Sequence, residues 1–219
     1  MQELTARKIA DGLVFGEGPR WRNGKLYVSD MHAGRVVTVD LDGRIEEVAR
    51  VPERPSGLGW LPDGRLLIVS MEDSQLVTLE GGGLKSYCDL APYCSSTPND
   101  MVVDERGRAY VGNFGFDLNS GEDPKPAELV LVEDGRARVV ARDLSFPNGT
   151  VITPDGRSLI VAETFGAVLT AFDIETDGSL SGRRTYAEVP EKTPDGICLD
   201  AEGGVWISSF LTGEYLRVR

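Results

Sequence analysis

The chain has 219 residues, 41% hydrophobic and 26% charged, ordinary proportions that exclude a disordered, collagenous or fibrous polypeptide and allow a substantial core. Its 35 acidic residues against 23 basic ones leave a net charge of -12, a field that repels phosphate backbones and anionic lipid, so neither nucleic acid nor a membrane is an expected partner. The 26 glycines and 12 prolines predict many tight turns and an all-β chain.

The opening stretch MQELTARKIADG lacks the charged-then-apolar layout of a secretory signal, and no apolar run approaches the roughly 20 residues that span a bilayer. A cytoplasmic location is the expectation. From there the chain reads as a repeat. Five segments open on Gly16-Glu17-Gly18-Pro19, Pro55-Ser56-Gly57, Pro98-Asn99-Asp100, Pro147-Asn148-Gly149 and Pro194-Asp195-Gly196. Each opening predicts a short strand, a turn centred on Gly24, Gly64, Gly107, Gly156 or Gly203, and then a β-rich run: KLYVSD, RLLIVSM, RAYVGNF, SLIVAET and VWISSF. In four segments the polar residue of the opening precedes the turn glycine by eight positions, and in the first by seven.

A third strand follows each run, as in RVVTVDLDG and ELVLVEDG, and then a fourth, as in RIEEVARV and ARVVARDL. Four hairpin-linked strands per unit is the arithmetic of a propeller blade. A β-sandwich shares the turn spacing but not the repeated opening, and no stretch sustains helical periodicity. The fifth unit reaches Arg219 partway through its third strand. The expectation is therefore a six-bladed β-propeller, a single domain over residues 1–219, with about four and a half blades present and residues missing after Arg219.

The first strand of each blade lines the central channel, so Glu17, Ser56, Asn99, Asn148 and Asp195 are expected to converge on the axis. All five carry oxygen donors or acceptors. Two carboxylates with amide oxygens balance a divalent cation and suit Ca²⁺ first, then Mg²⁺ or Mn²⁺, with Zn²⁺ in a more mixed site. Asn, Asp and Ser after proline are also ordinary turn residues, and one such loop would mean nothing. Glu17 breaks that reading, because glutamate is a poor turn former. Cys88, Cys94 and Cys198 form no C-x-x-C pair and read as inert thiols, although Cys88 and Cys94 are close enough in sequence to pair in an oxidising compartment. His32 is the sole histidine, and no G-x-S-x-G elbow accompanies it, which excludes a Ser/His/Asp hydrolase.

The motifs GEGPRW at 16–21, TPND at 97–100, FPNGTVITPDG at 146–156 and TPDGICLDAEGGVW at 193–206 resemble the successive signatures of the SMP-30/gluconolactonase family. The resemblance implies a six-bladed propeller with one divalent cation on its axis that opens lactone rings to hydroxy acids. It implies Glu17, Asn148 and Asp195 as metal ligands, Asp195 as base, and Asn99 as a substrate contact beside the ion. The chain departs from the pattern at Thr97, where members acting on sugar lactones often carry an arginine, a departure that bears on aldonolactone specificity.

Ring opening needs an electrophile for the carbonyl, an activated water and a proton for the departing alkoxide. Ser56, Thr97, Asn99 and Phe114 are the expected substrate contacts, with Phe114 and Phe116 of the long connection 113–127 roofing the pocket. Met31, His32, Met71 and Glu72 stand on the equivalent rim, and Trp21, Trp60 and Trp206 read as packing between blades. Two other functions fit the fold: a non-catalytic binding scaffold, which would not need an axial carboxylate pair, and a propeller acting on other esters.

Overall fold

A computed structural model of the chain describes residues 7–219. Its first sheet contains, in order, β1 (Gly16–Arg22), β2 (Lys25–Asp30), β3 (Arg35–Val39) and β4 (Ile45–Arg50), each antiparallel to the one before. The second has β5 (Pro55–Trp60), β6 (Leu66–Ser70), β7 (Gln75–Glu80) and β8 (Gly83–Asp89). The third has β9 (Pro98–Val103), β10 (Ala109–Asn113), β11 (Ala127–Glu133) and β12 (Arg136–Leu144), and the fourth β13 (Pro147–Ile152), β14 (Ser158–Glu163), β15 (Val168–Ile174) and β16 (Leu180–Glu188). The fifth sheet has three strands, β17 (Pro194–Leu199), β18 (Val205–Ser209) and β19 (Glu214–Val218). The hairpins form where the repeat predicts them: the five turn glycines have φ between +70° and +89°, a region closed to most side chains.

Consecutive sheets bury their facing sides against one another, so the core is a series of apolar seams between blades. Val36, Leu58 and Ile68 fill the seam between the first and second sheets, and Leu67, Val69, Met101 and Val111 that between the second and third. Leu129, Leu159 and Phe172 join the third to the fourth, and Ile160, Leu169, Val205 and Ile207 the fourth to the fifth. Each such fully buried aliphatic contributes roughly 1.5–3 kcal/mol of transfer free energy. Trp60 takes part, edge-on to Tyr27 at 5.0 Å with the Arg22 guanidinium 4.6 Å from its ring, but Trp21 is 57% exposed and packs no seam. Trp206 instead donates its indole N–H to Asp200 at 3.0 Å.

The expected six-bladed ring with four and a half blades present is corrected by the sheet topology. The chain forms five blades, and the last is a paired sheet in which Val205 to Ser209 match Val218 to Glu214 residue for residue. Each of the five openings begins one sheet, and the fifth unit completes its third strand, Glu214–Val218, as a full partner of β18. Among the described residues no helix is long and apolar enough to cross a membrane, and Cys88, Cys94 and Cys198 are free thiols, the last of them exposed.

Candidate functional site

The five opening residues all stand at the start of an inner strand, β1, β5, β9, β13 or β17. In every blade the pairing with the second strand slips at this point: between Glu17 and Arg20, Pro55 and Leu58, Pro98 and Met101, Pro147 and Thr150, and Pro194 and Ile197. A bulge frees the residue from the ladder and re-aims its side chain, which is how a strand start can present a polar group to a channel without losing its hairpin. The inner strands also approach closely. A Cβ on Gly149 would lie 2.4 Å from the carbonyl oxygen of Asp195, so only glycine lets β13 and β17 come together here.

Hydrogen bonds couple these residues across blades. The buried Ser56 hydroxyl donates to Asn99 Oδ1 at 3.0 Å, which leaves the Asn99 Nδ2 donor for a ligand. Ser29 donates in turn to the Ser56 carbonyl at 2.6 Å. Asn148 donates through Nδ2 to Thr164 Oγ1 at 3.2 Å, and Thr164 donates to the Pro194 carbonyl at 2.8 Å, tying blade four to the residue beside Asp195.

Glu17 and Asp195 are half-buried by accessible surface, yet protein walls them on most sides. Burial pushes the Glu17 carboxyl up to about 8, with the charges of Asp195 and Asp100 adding to the rise against one hydrogen bond from the Gly18 backbone. Burial also raises Asp195, to about 6, with Asp100 contributing and the Asn148 amide opposing. Among the described residues no three carboxylate, imidazole or thiolate groups converge tightly enough to hold an ion by themselves. A cation at this place therefore needs amide oxygen as well as carboxylate, and a donor set of Glu17, Asp195 and Asn148 fits a hard divalent ion.

These shifts predict an inverted pH dependence for ion-free protein. The folded state holds protons on Glu17 and Asp195 that the unfolded chain releases near pH 4, so stability falls as pH rises from about 4 through 6 and 8. The denaturant midpoint of chelated protein is expected to be lower at pH 8 than at pH 5, and a divalent cation should restore it at pH 8; a midpoint that rises over this range would refute the assignment.

Two sets of residues in the site escaped the sequence reading. In four openings the polar residue is followed by glycine, but blade three has Asp100 there. Asp100 accepts from Arg20 Nη2 at 2.9 Å, and the same guanidinium reaches the Met101 carbonyl at 2.6 Å, a strut from blade one to blade three. The break in the glycine pattern was the available signal. The second set closes the β-rich runs: Asp30, Asn113, Glu163 and Ser209. Asp30 accepts from the Val14 and Phe15 amides at 2.8 and 3.1 Å, Glu163 from the Ser145 amide at 2.6 Å, Ser209 from the Thr193 amide at 3.2 Å, and Asn113 from the Ser95 hydroxyl at 3.3 Å. Each holds the segment that leads into Glu17, Asn148, Asp195 or Asn99.

The rim between blades three and four is aromatic. Phe114 stacks on Phe146 at 4.5 Å and 11°, Phe165 meets Phe146 edge-on at 5.1 Å, and Phe116 closes the group at 5.9 and 5.8 Å from Phe146 and Phe165. Phe146 adopts φ +60°, a conformation that costs a bulky residue about 1–2 kcal/mol. Phe114 is half-buried at this rim, while Phe116, expected to roof the pocket beside it, is buried. The Thr97 carbonyl accepts the Phe114 amide at 3.0 Å. His32 lies apart, exposed and edge-on to Phe15 at 5.0 Å, Met71 is buried, and Glu72 pairs with Arg54.

Comparison with known proteins agrees with this architecture. The chain is 28% identical over 226 residues to a 6-deoxy-6-sulfogluconolactonase of Pseudomonas putida, covering 100% of this chain and 76% of that protein. A gluconolactonase from Xanthomonas campestris superposes with a TM-score of 0.73 at 26% identity, over 92% of this chain and 74% of that one. A regucalcin from Agrobacterium tumefaciens, described as a calcium-binding protein, shares the fold with a TM-score of 0.78 at 22% identity, over 94% of this chain and 70% of that one. Residues 15–219 match the SMP-30/gluconolactonase/LRE-like region, and the chain belongs to that family.

Proposed function

We propose that the protein is a divalent-cation-dependent lactonase that hydrolyses a small lactone to its hydroxy acid. The observation that carries this reading is the placing of Glu17 and Asp195, from the first and last blades, in one largely buried site, where burial first and the charge of Asp195 second push Glu17 up to about 8. Two carboxylates held in one another's field are destabilised unless a positive charge comes between them. Glu17, Asp195 and Asn148 would hold the cation, Ca²⁺ in preference to Mn²⁺, Mg²⁺ or Zn²⁺ on an oxygen-only donor set. When bound, it supplies a Lewis acid for the lactone carbonyl and for the charge that develops on its oxygen.

The chain's own groups do the rest. Asn99, set by Ser56, donates from Nδ2 to the substrate and orients the ring. Asp195 takes a proton from the attacking water as the new carbon–oxygen bond forms. The ring carbon–oxygen bond then breaks, and the proton on Asp195 passes to the departing alkoxide, which regenerates the carboxylate. Asp100 keeps Asp195 a stronger base than an isolated carboxylate beside a cation would be, because its negative charge raises the Asp195 pKa. Thr97 and Phe114 border the space that the substrate enters.

The test is proton release from a panel of small lactones after chelation and add-back of single metals. Activity is expected to vanish on chelation and to return with a divalent cation. Folded, ion-loaded protein that turns over no lactone would remove this reading in favour of a binding scaffold.

A further inference from the structure

The aromatic wall is joined to the site through short connections. Phe146 lies two residues before Asn148, and Phe165 follows Thr164, whose hydroxyl accepts from the Asn148 amide at 3.2 Å. Phe114 is held by its backbone to Thr97, two residues before Asn99. The wall therefore flanks the side of the axis occupied by Asn99 and Asn148, and it is not sealed: Phe165 is 46% exposed above the buried Phe116 and Phe146. Cations on the rim are already engaged. Arg183 pairs with Glu163, Lys192 with Glu214, Arg54 with Glu72 and Arg35 with Asp30.

We infer that this wall is the subsite for an aryl substituent carried on the lactone ring. The inference rests on the lactonase reading and names the substrate class within it. A hydroxyl pressed against these rings would lose water without gaining a partner. An anionic group would meet cations whose charge is spent, in a protein of net charge -12. An aryl ring gains burial against Phe165 and Phe114 and the offset or edge-on contacts that the four rings already make among themselves. The left-handed Phe146 holds its ring beneath Phe114 and so supports the platform.

Binding of two non-hydrolysable probes, γ-phenyl-γ-butyrolactam and unsubstituted γ-butyrolactam, to ion-loaded protein tests the subsite without requiring turnover. The phenyl probe is expected to bind about tenfold tighter, and Phe165→Ala, a change at an exposed position, should reduce that ratio to within about twofold. Phe165→Leu should retain part of it. Equal binding of the two probes, or a ratio unchanged in Phe165→Ala, would overturn the inference. Turnover of the matching lactones separates the two claims: a phenyl preference in binding with no hydrolysis leaves the subsite standing and removes the lactonase reading, whereas hydrolysis without the preference does the reverse.

Discussion

Asp195→Asn is expected to lower kcat for lactone hydrolysis by about 10³-fold, the span of a lost general base, and the loss should persist at saturating cation. Glu17→Gln is expected to act differently. It keeps the shape of the side chain but removes one of two negative charges, so it should weaken cation binding by about 100-fold or more, and excess metal should restore part of the activity. Titrating each variant with metal while following proton release distinguishes the two. Wild-type kcat in Asp195→Asn would eliminate it as the base and transfer water activation to the ion. The two carboxylates are not interchangeable because their surroundings differ: Asp195 receives the Asn148 amide, whereas Glu17 is relieved only by the Gly18 backbone and has the higher pKa.

Asp30→Ala is expected to destabilise the fold by about 3–5 kcal/mol, the cost of breaking a buried ion pair from one side. The Asp30 side chain is wholly buried and accepts four bonds, from the Val14 and Phe15 amides and from Arg35 Nε and Nη2 at 2.9 and 2.8 Å. Burial works against its charge, but the bonds from Phe15, Arg35 and Val14 outweigh it and hold its pKa below the ordinary carboxylate range. This contribution is present above the unfolded pKa near 4 and is lost as pH falls below it. Because the freed amides immediately precede Glu17, cation affinity should fall along with the denaturant midpoint. Asp30→Asn, which retains an acceptor but no charge, should cost roughly half as much. A loss under 1 kcal/mol in Asp30→Ala would show that the latch does not hold the opening of blade one.

Much of this molecule follows from local sequence. The offset of eight residues between an opening residue and its turn glycine is a property of one hairpin, in which strand length, turn type and the positive φ of Gly64 or Gly156 are settled by neighbours in the chain. The same offset placed Ser56, Asn99, Asn148 and Asp195 at equivalent strand starts, and the strand boundaries agree with the runs that predicted them, KLYVSD being β2 in full. Glu17 stood out by its chemistry alone.

What the chain order does not contain is the relation between blades. Which sheet faces meet follows from how Leu58, Met101, Leu159 and Val205 pack in the seams, where side-chain volume sets how closely neighbouring sheets approach. The strut from Arg20 to Asp100 joins residues 80 positions apart, and the wall of Phe114, Phe146 and Phe165 assembles from two blades. Hairpin geometry is decided over a few residues, where backbone sterics and hydrogen bonding leave few choices. Contacts across seams are decided only once the sheets have closed on one another, and they determine which charges face the axis and which rings border it.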